Sequence, residues 1–281
     1  MPQSYFAPKL AAMNNYASCP VQCRWRLLLP LAGLLAGLVG LVGCAAPHPP
    51  TPLAQASSER SWSTLAQAAW QEVPLPGKTP TLYRLDDHAP NGARGQRTAL
   101  KADAQSSASM LRAPVRIEPQ ALGRVDFSWL VPALIANADM ALRDGDDSPV
   151  RLILAFEGDR SQFSAKNAIL NELTHLLTGE EMPYATLMYV WCNQRPVGSV
   201  IINPRTDRIR KIVVESGPRG LLQWRNYERD IRADFEQAFG EPPGALVALG
   251  LMTDSDNTHS QAVAWYGPIG LHEQRAVQGL P

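Results

Sequence analysis

The stretch Arg124-Val125-Asp126-Phe127-Ser128-Trp129-Leu130-Val131 alternates, with Val125, Phe127, Trp129 and Val131 on one side and Arg124, Asp126 and Ser128 on the other. A period of two is the signature of a half-buried strand, so Trp129 belongs to the core rather than to an exposed platform. Working outward, the same reading finds nine more short strand-like runs bounded by turn residues: 81–85, 98–102, 109–117, 150–156, 186–193, 199–203, 209–215, 246–253 and 262–266. The runs 150–156, 186–192 and 246–252 are apolar on both sides, as central strands covered on both faces are. Strands without regular intervening helices predict a mainly β chain. Its expected form is an antiparallel β-sandwich, jelly-roll-like, with two accessory helices.

The first helix is expected over Lys166–Thr178, with Ile169, Leu173, Leu176 and Leu177 on one side and Gly179 as its C-cap. For the second, Asn226 is the expected N-cap, and Tyr227, Ile231, Phe235 and Phe239 form an apolar stripe that lies on the sandwich as a lid.

The 281 residues carry 26 Lys+Arg and 26 Asp+Glu, a balance that gives no case for nucleic-acid binding. The neutrality is uneven, because residues 1–43 hold Lys9, Arg24 and Arg26 and no acid, leaving the rest at −3. Residues 27–42 are uncharged but interrupted by Pro30 and three glycines, too short for a bilayer span of about 20 residues. They have the form of a secretory h-region. The sequence Leu41-Val42-Gly43-Cys44 that follows resembles a bacterial lipobox, and that resemblance implies lipidation at Cys44 and removal of residues 1–43. Ala45 after the cysteine implies delivery to the outer membrane, facing the periplasm, and Met13 is an alternative start. The expected organisation is a signal peptide over 1–43, a Pro/Ala/Ser-rich lipidated tether over 44–60, a sandwich domain over 61–274 and a tail over 275–281. Of the four cysteines only Cys192 then remains in the domain, so no disulfide is available and Cys192 reads as a buried thiol.

The series Trp224-Arg225-Asn226-Tyr227-Glu228-Arg229-Asp230, Asp234-Phe235, Ala238-Phe239-Gly240, residues 251–258 and Ala264-Trp265-Tyr266-Gly267-Pro268-Ile269 resembles a bacterial family of exported proteins, domain of unknown function 3047. The resemblance spans roughly residues 62–270 and implies a β-sandwich in the style of carbohydrate-binding jelly rolls, with no assigned catalytic residues.

Candidate site residues fall in three groups. Asp254, Asp256 and Asn257 offer hard oxygen ligands at i, i+2 and i+3 and are candidates for Ca2+, although the full calcium loop fails at His259 and Trp265. The alternative is a hairpin loop held by Asx turns. Asp144, Asp146 and Asp147 precede Arg151, and an Asp147–Arg151 ion pair is expected. Trp224, Trp265 and Tyr266 are the candidate glycan-stacking residues, with Trp265 and Tyr266 on opposite faces of their strand.

None of the common nucleophile, zinc, dinucleotide or phosphate-loop motifs is present, and no two histidines stand at metal-ligand spacing. The leading expectation is a non-catalytic envelope lipoprotein that binds a glycan or other envelope ligand. The alternatives are a Ca2+-dependent polysaccharide hydrolase or lyase, and a structural lipoprotein acting through protein partners.

Overall fold

The computed structural model describes residues 70–91 and 95–274. The leader, Cys44, the tether and the tail lie outside them. Among the described residues thirteen strands form two sheets, as expected for a sandwich, and the ten runs read from the sequence are all strands.

The first sheet has seven strands. In spatial order they are β1 (Gln71–Pro74), β4 (Ala108–Ile117), β11 (Leu246–Asp254), β6 (Ser148–Phe156), β7 (Ala185–Cys192), β9 (Ile209–Ser216) and β8 (Val200–Ile202). All pairs are antiparallel except β7 with β9. The second sheet runs β10 (Trp224–Asp230), β5 (Arg124–Leu130), β12 (Gln261–Tyr266), β3 (Gln96–Gln105) and β2 (Leu82–Pro90), with β13 (Gly270–His272) pairing β5.

The core follows from alternation. Leu152, Leu154 and Phe156 of β6, Leu187 and Tyr189 of β7 and Leu249 and Leu251 of β11 face Val125, Phe127 and Trp129 of β5. The Phe127 ring stacks on Tyr189 at 5.5 Å and on Tyr227 at 5.1 Å, contacts that add to the area they bury. Strands β11, β6 and β7 are the central three, which is why their sequences are apolar on both sides. Cys192 is a buried free thiol.

Two helices accompany the sheets. Ser164 caps α1 (Ala165–Thr178), and Gly179 ends it at φ 74°. The second expectation needs correction: residues 224–230, including the expected N-cap Asn226, form β10. The helix α2 (Ile231–Phe239) begins only after Asp230, whose carboxylate accepts from Ala233 N at 2.9 Å. Pairing with β5 decides this, because it satisfies the backbone of 224–230 and turns Tyr227 onto Phe127. Within α2 the expected stripe holds, with Ile231 and Phe235 buried and Phe235 edge-on to Phe156 at 4.7 Å.

The approach to β11 is held by backbone packing. A Cβ on Gly244 would stand 2.0 Å from the Glu157 carbonyl oxygen, and Glu157 N donates to Ala245 O at 2.9 Å. Gly244→Ala is therefore expected to cost about 1–3 kcal/mol. Urea unfolding of both proteins measures it, and a change within experimental error would contradict the packing argument.

Candidate functional site

The outer face of the seven-stranded sheet carries the residues that alternate with the core. At its centre stand Met110 and Arg112 of β4, Gly250 and Met252 of β11, Arg151 and Ile153 of β6, and Thr186 and Met188 of β7. They floor a groove of about 780 Å³ that also takes in Gln71 of β1 and Ile209 of β9. Six adjacent strands thus contribute, which at about 4.8 Å per strand makes the groove roughly 24 Å long. Leu170 and Thr174 of α1 form part of its wall. No aromatic ring, histidine, serine or cysteine is among the lining residues.

One part of the groove wall is a buried charge cluster. The Arg151 guanidinium donates to both oxygens of Asp254, from Nε at 2.8 Å and from Nη2 at 2.8 Å. Nη2 also donates to Asp146, to Oδ1 at 3.1 Å and to the carbonyl at 2.8 Å. Lys211 Nζ donates to Asp146 Oδ1 at 2.7 Å and to the Met140 carbonyl at 3.0 Å. Asn203 Nδ2 reaches the other Asp146 oxygen at 3.0 Å. Lys78 pairs with Asp256 at the opening.

Burial and charge pull against each other here. Desolvation raises the Asp254 carboxyl to about 6 against the attraction of Arg151, with Asp147 and Asp146 adding repulsion. Desolvation and Arg151 lower the Lys211 ammonium to about 8, although Asp146 favours its charge. Asp146 is held below the usual carboxylate range, because Arg151 and Lys211 outweigh its desolvation. Desolvation also opposes the Arg151 charge, but Asp254 and Asp146 outweigh it and push this guanidinium higher.

Several sequence expectations land differently. Arg151 pairs with Asp254 and Asp146, and the expected partner Asp147 instead accepts from Asn257 Nδ2 at 2.9 Å, Thr258 N at 2.7 Å and Thr258 Oγ1 at 2.6 Å. The segment after Asp254 is no hairpin, since β11 and β12 lie in different sheets; it carries the chain from one to the other. Asp147, Asp254 and Asp256 offer oxygens within 4.8 Å of one another, close enough for one cation. Each already has protein donors, however: Asn257 and Thr258 on Asp147, Arg151 on Asp254 and Lys78 on Asp256. A cation would have to displace them. Asn257 turns its amide nitrogen to Asp147, presenting a donor where a metal needs an oxygen.

The candidate aromatics do not join this site. Trp224 and Trp265 both pair in register with Leu130 on the second sheet. Arg97 lies over the Trp224 ring at 4.1 Å, and the Trp265 indole donates to Asp86 Oδ2 at 2.8 Å. Tyr266 faces the other way, as expected for its neighbour, but it is only 1% exposed. Its hydroxyl bonds Thr253 Oγ1 at 2.9 Å and the Met252 carbonyl at 2.7 Å, so Tyr266 is a link between the sheets and not a ligand platform.

Sequence reasoning missed Lys211 and the methionine floor. Lys211 did leave a trace, as one cation directly before the apolar run Ile212-Val213-Val214. The floor was signalled by the two-sided apolar pattern of the central strands.

Residues 68–270 match the family described as protein of unknown function, DUF3047. No curated protein matches the chain. Among solved structures it is similar to TmCBM61 in complex with beta-1,4-galactotriose, at 12% identity over 73% of this chain and 88% of that one, with a TM-score of 0.30. It is also similar to the enzymatically active domain of bacteriophage CBA120 tailspike protein 4, at 10% identity over 72% of this chain, with a TM-score of 0.33. The match spans 19% of the tailspike chain. Neither likeness bears on what this chain binds.

Proposed function

With the chain belonging to DUF3047, we propose that it is a non-catalytic binding lipoprotein of the bacterial envelope, anchored through Cys44, which takes an extended envelope glycan in the groove. The observation that carries the reading is the groove itself: an apolar floor with hydrogen-bonding groups at its wall, crossing six strands of a rigid sheet. A glycan chain offers C–H faces to Met110, Ile153, Met188 and Met252, and hydroxyls to Asn203, Asn257 and Asp256. The pairing of Asp254 and Asp147 with protein donors leaves neither as a free acid or base, which favours binding over hydrolysis.

Isothermal titration of the mature chain in detergent against envelope polysaccharide fragments tests the binding, and silence across the series would reject it. Trp224→Ala is expected to leave the affinity unchanged within about twofold, because Trp224 is on the other sheet. Cys44→Ser is expected to abolish metabolic palmitate labelling and to release the protein from membranes. Continued labelling would overturn the anchor.

A further inference from the structure

The apolar side of α1 does not face the sandwich. Ile169, Leu173, Leu176 and Leu177 are 68, 49, 74 and 63% exposed, while the helix is tied to the domain by its opposite side. There Asn167 is buried, accepting from Thr206 Oγ1 at 2.8 Å and donating to Asp207 at 2.6 Å, and Asn171 Oδ1 accepts from Met182 N at 2.8 Å. Four large apolar side chains in one stripe form a contiguous patch, unlike the exposed Leu82, Leu142, Val197, Ile202 and Leu222, which belong to different segments.

The stripe is bracketed by opposite charges. Lys166 stands seven residues before Leu173 and Glu180 seven after it, just past the C-cap. Lys166 makes no ion pair among the described residues, and Glu180 remains accessible beside its partner Arg112. A two-fold axis through Leu173 pairs two such helices antiparallel. It sets Ile169 against the second copy's Leu177 and Lys166 against the second copy's Glu180, and it places each helix N-terminus by the other's C-terminus. A membrane-surface helix would instead show a polar face rich in Lys and Arg, whereas Lys166 is accompanied here by Glu172, Glu180 and Glu181.

We propose that α1 is the contact through which two copies of this chain associate, antiparallel about Leu173. One helix face is small beside the roughly 1,200–2,000 Å² of a standard interface, so the dimer is weak and reversible and forms where the protein is crowded. The stripe borders the groove wall, because Leu170 precedes Leu173 and Leu177 by three and seven residues on the same helix.

Disulfide trapping of the full chain in intact cells tests this. Leu173→Cys places one thiol beside its symmetry mate on the axis, and a non-reducing gel is expected to show a dimer band at least about fivefold stronger than wild type or the exposed control Val197→Cys. Adding Leu176→Asp or Lys166→Glu to Leu173→Cys is expected to lower the band at least threefold, roughly 0.65 kcal/mol, with the melting temperature unchanged because both positions are exposed. Equal bands at positions 173 and 197, or a band insensitive to Leu176→Asp, would overturn the proposal. So would a purely monomeric chain whose residue 173 is labelled by a bilayer-resident probe.

Discussion

Arg151→Met is expected to remove about 3–5 kcal/mol of folding stability, a large share of what a domain of this kind has in total. The physical reason is the company that Arg151 keeps. It is 3% exposed and supplies both hydrogen bonds of a bidentate pair to Asp254, itself 2% exposed, and two to Asp146, at the carboxylate and the carbonyl. Methionine fills much of the volume and leaves the Asp254 carboxylate buried without its counter-charge. The loss carries a pH signature. The Asp254 carboxyl already stands at about 6 in the wild type, above its ordinary value near 3.8. A carboxyl raised by folding contributes stability that is complete below its unfolded value and lost as pH rises through its folded value. Removing Arg151 raises that folded value further, so the deficit of the variant is smallest near pH 4 and grows as pH passes through 6 and beyond.

Urea unfolding at several pH values measures this, and a variant within about 1 kcal/mol of wild type at pH 7 would refute the account. Replacing Asp254 as well, in Arg151→Met/Asp254→Leu, is expected to recover a substantial part of the loss. An apolar pair in place of a buried ion pair is often close to neutral, and Asp146 keeps Lys211. If the second substitution instead deepens the loss, the pair does more than satisfy its own charges.

Filling the groove has the second large effect, on binding rather than on stability. Met188 lies on β7 with its side chain in the groove floor, between Ile153 of the neighbouring β6 and the wall of α1. Met188→Trp places an indole across the path of an extended ligand. The expected result is at least a hundredfold loss of affinity, about 2.7 kcal/mol. The position is partly open, and a melting temperature measured alongside separates a blocked groove from a damaged fold. Titration of Met188→Trp and Trp224→Ala side by side locates the ligand. A loss at Trp224 with none at Met188 would move the site to the second sheet and reject the groove.

Much of the sandwich was legible because period-two alternation is a local property that survives folding unchanged. The alternating run at 125–131 buries Val125, Phe127 and Trp129, and the runs at 150–156, 186–192 and 246–252, apolar on both sides, are the central strands. Residues 224–230 were not legible. A segment with Asn, Glu and Asp at helix-start positions was captured as a strand by the unpaired edge of β5, a partner nearly a hundred residues away. The short β1 and β13 also escaped, being too brief to show a period. The apolar stripe of α1 was read correctly as a stripe, but a helix of this kind is expected to turn such a face inward. Hydrogen bonds donated by Thr206 and Met182 to Asn167 and Asn171 hold the other side against the domain instead.

The site separates the two kinds of information further. By itself the sequence determined the class of the chain: a mainly β domain, with Cys192 as the single cysteine between residues 61 and 274. These follow from composition and from spacing along the chain. Only the tertiary structure decided which charges meet. Arg151 and Asp254 are 103 positions apart, and Lys211 and Asp146 are 65 apart. Sheet order brings β11, β6, β7 and β9 side by side, which chain order does not reveal. The same sheet order carried Asp254, Asp256 and Asn257 to the groove and Trp224 and Trp265 to the second sheet. Strand pairing is a long-range choice made by the burial of whole faces. A buried charge cluster exists only where that choice places opposite charges within reach and away from water.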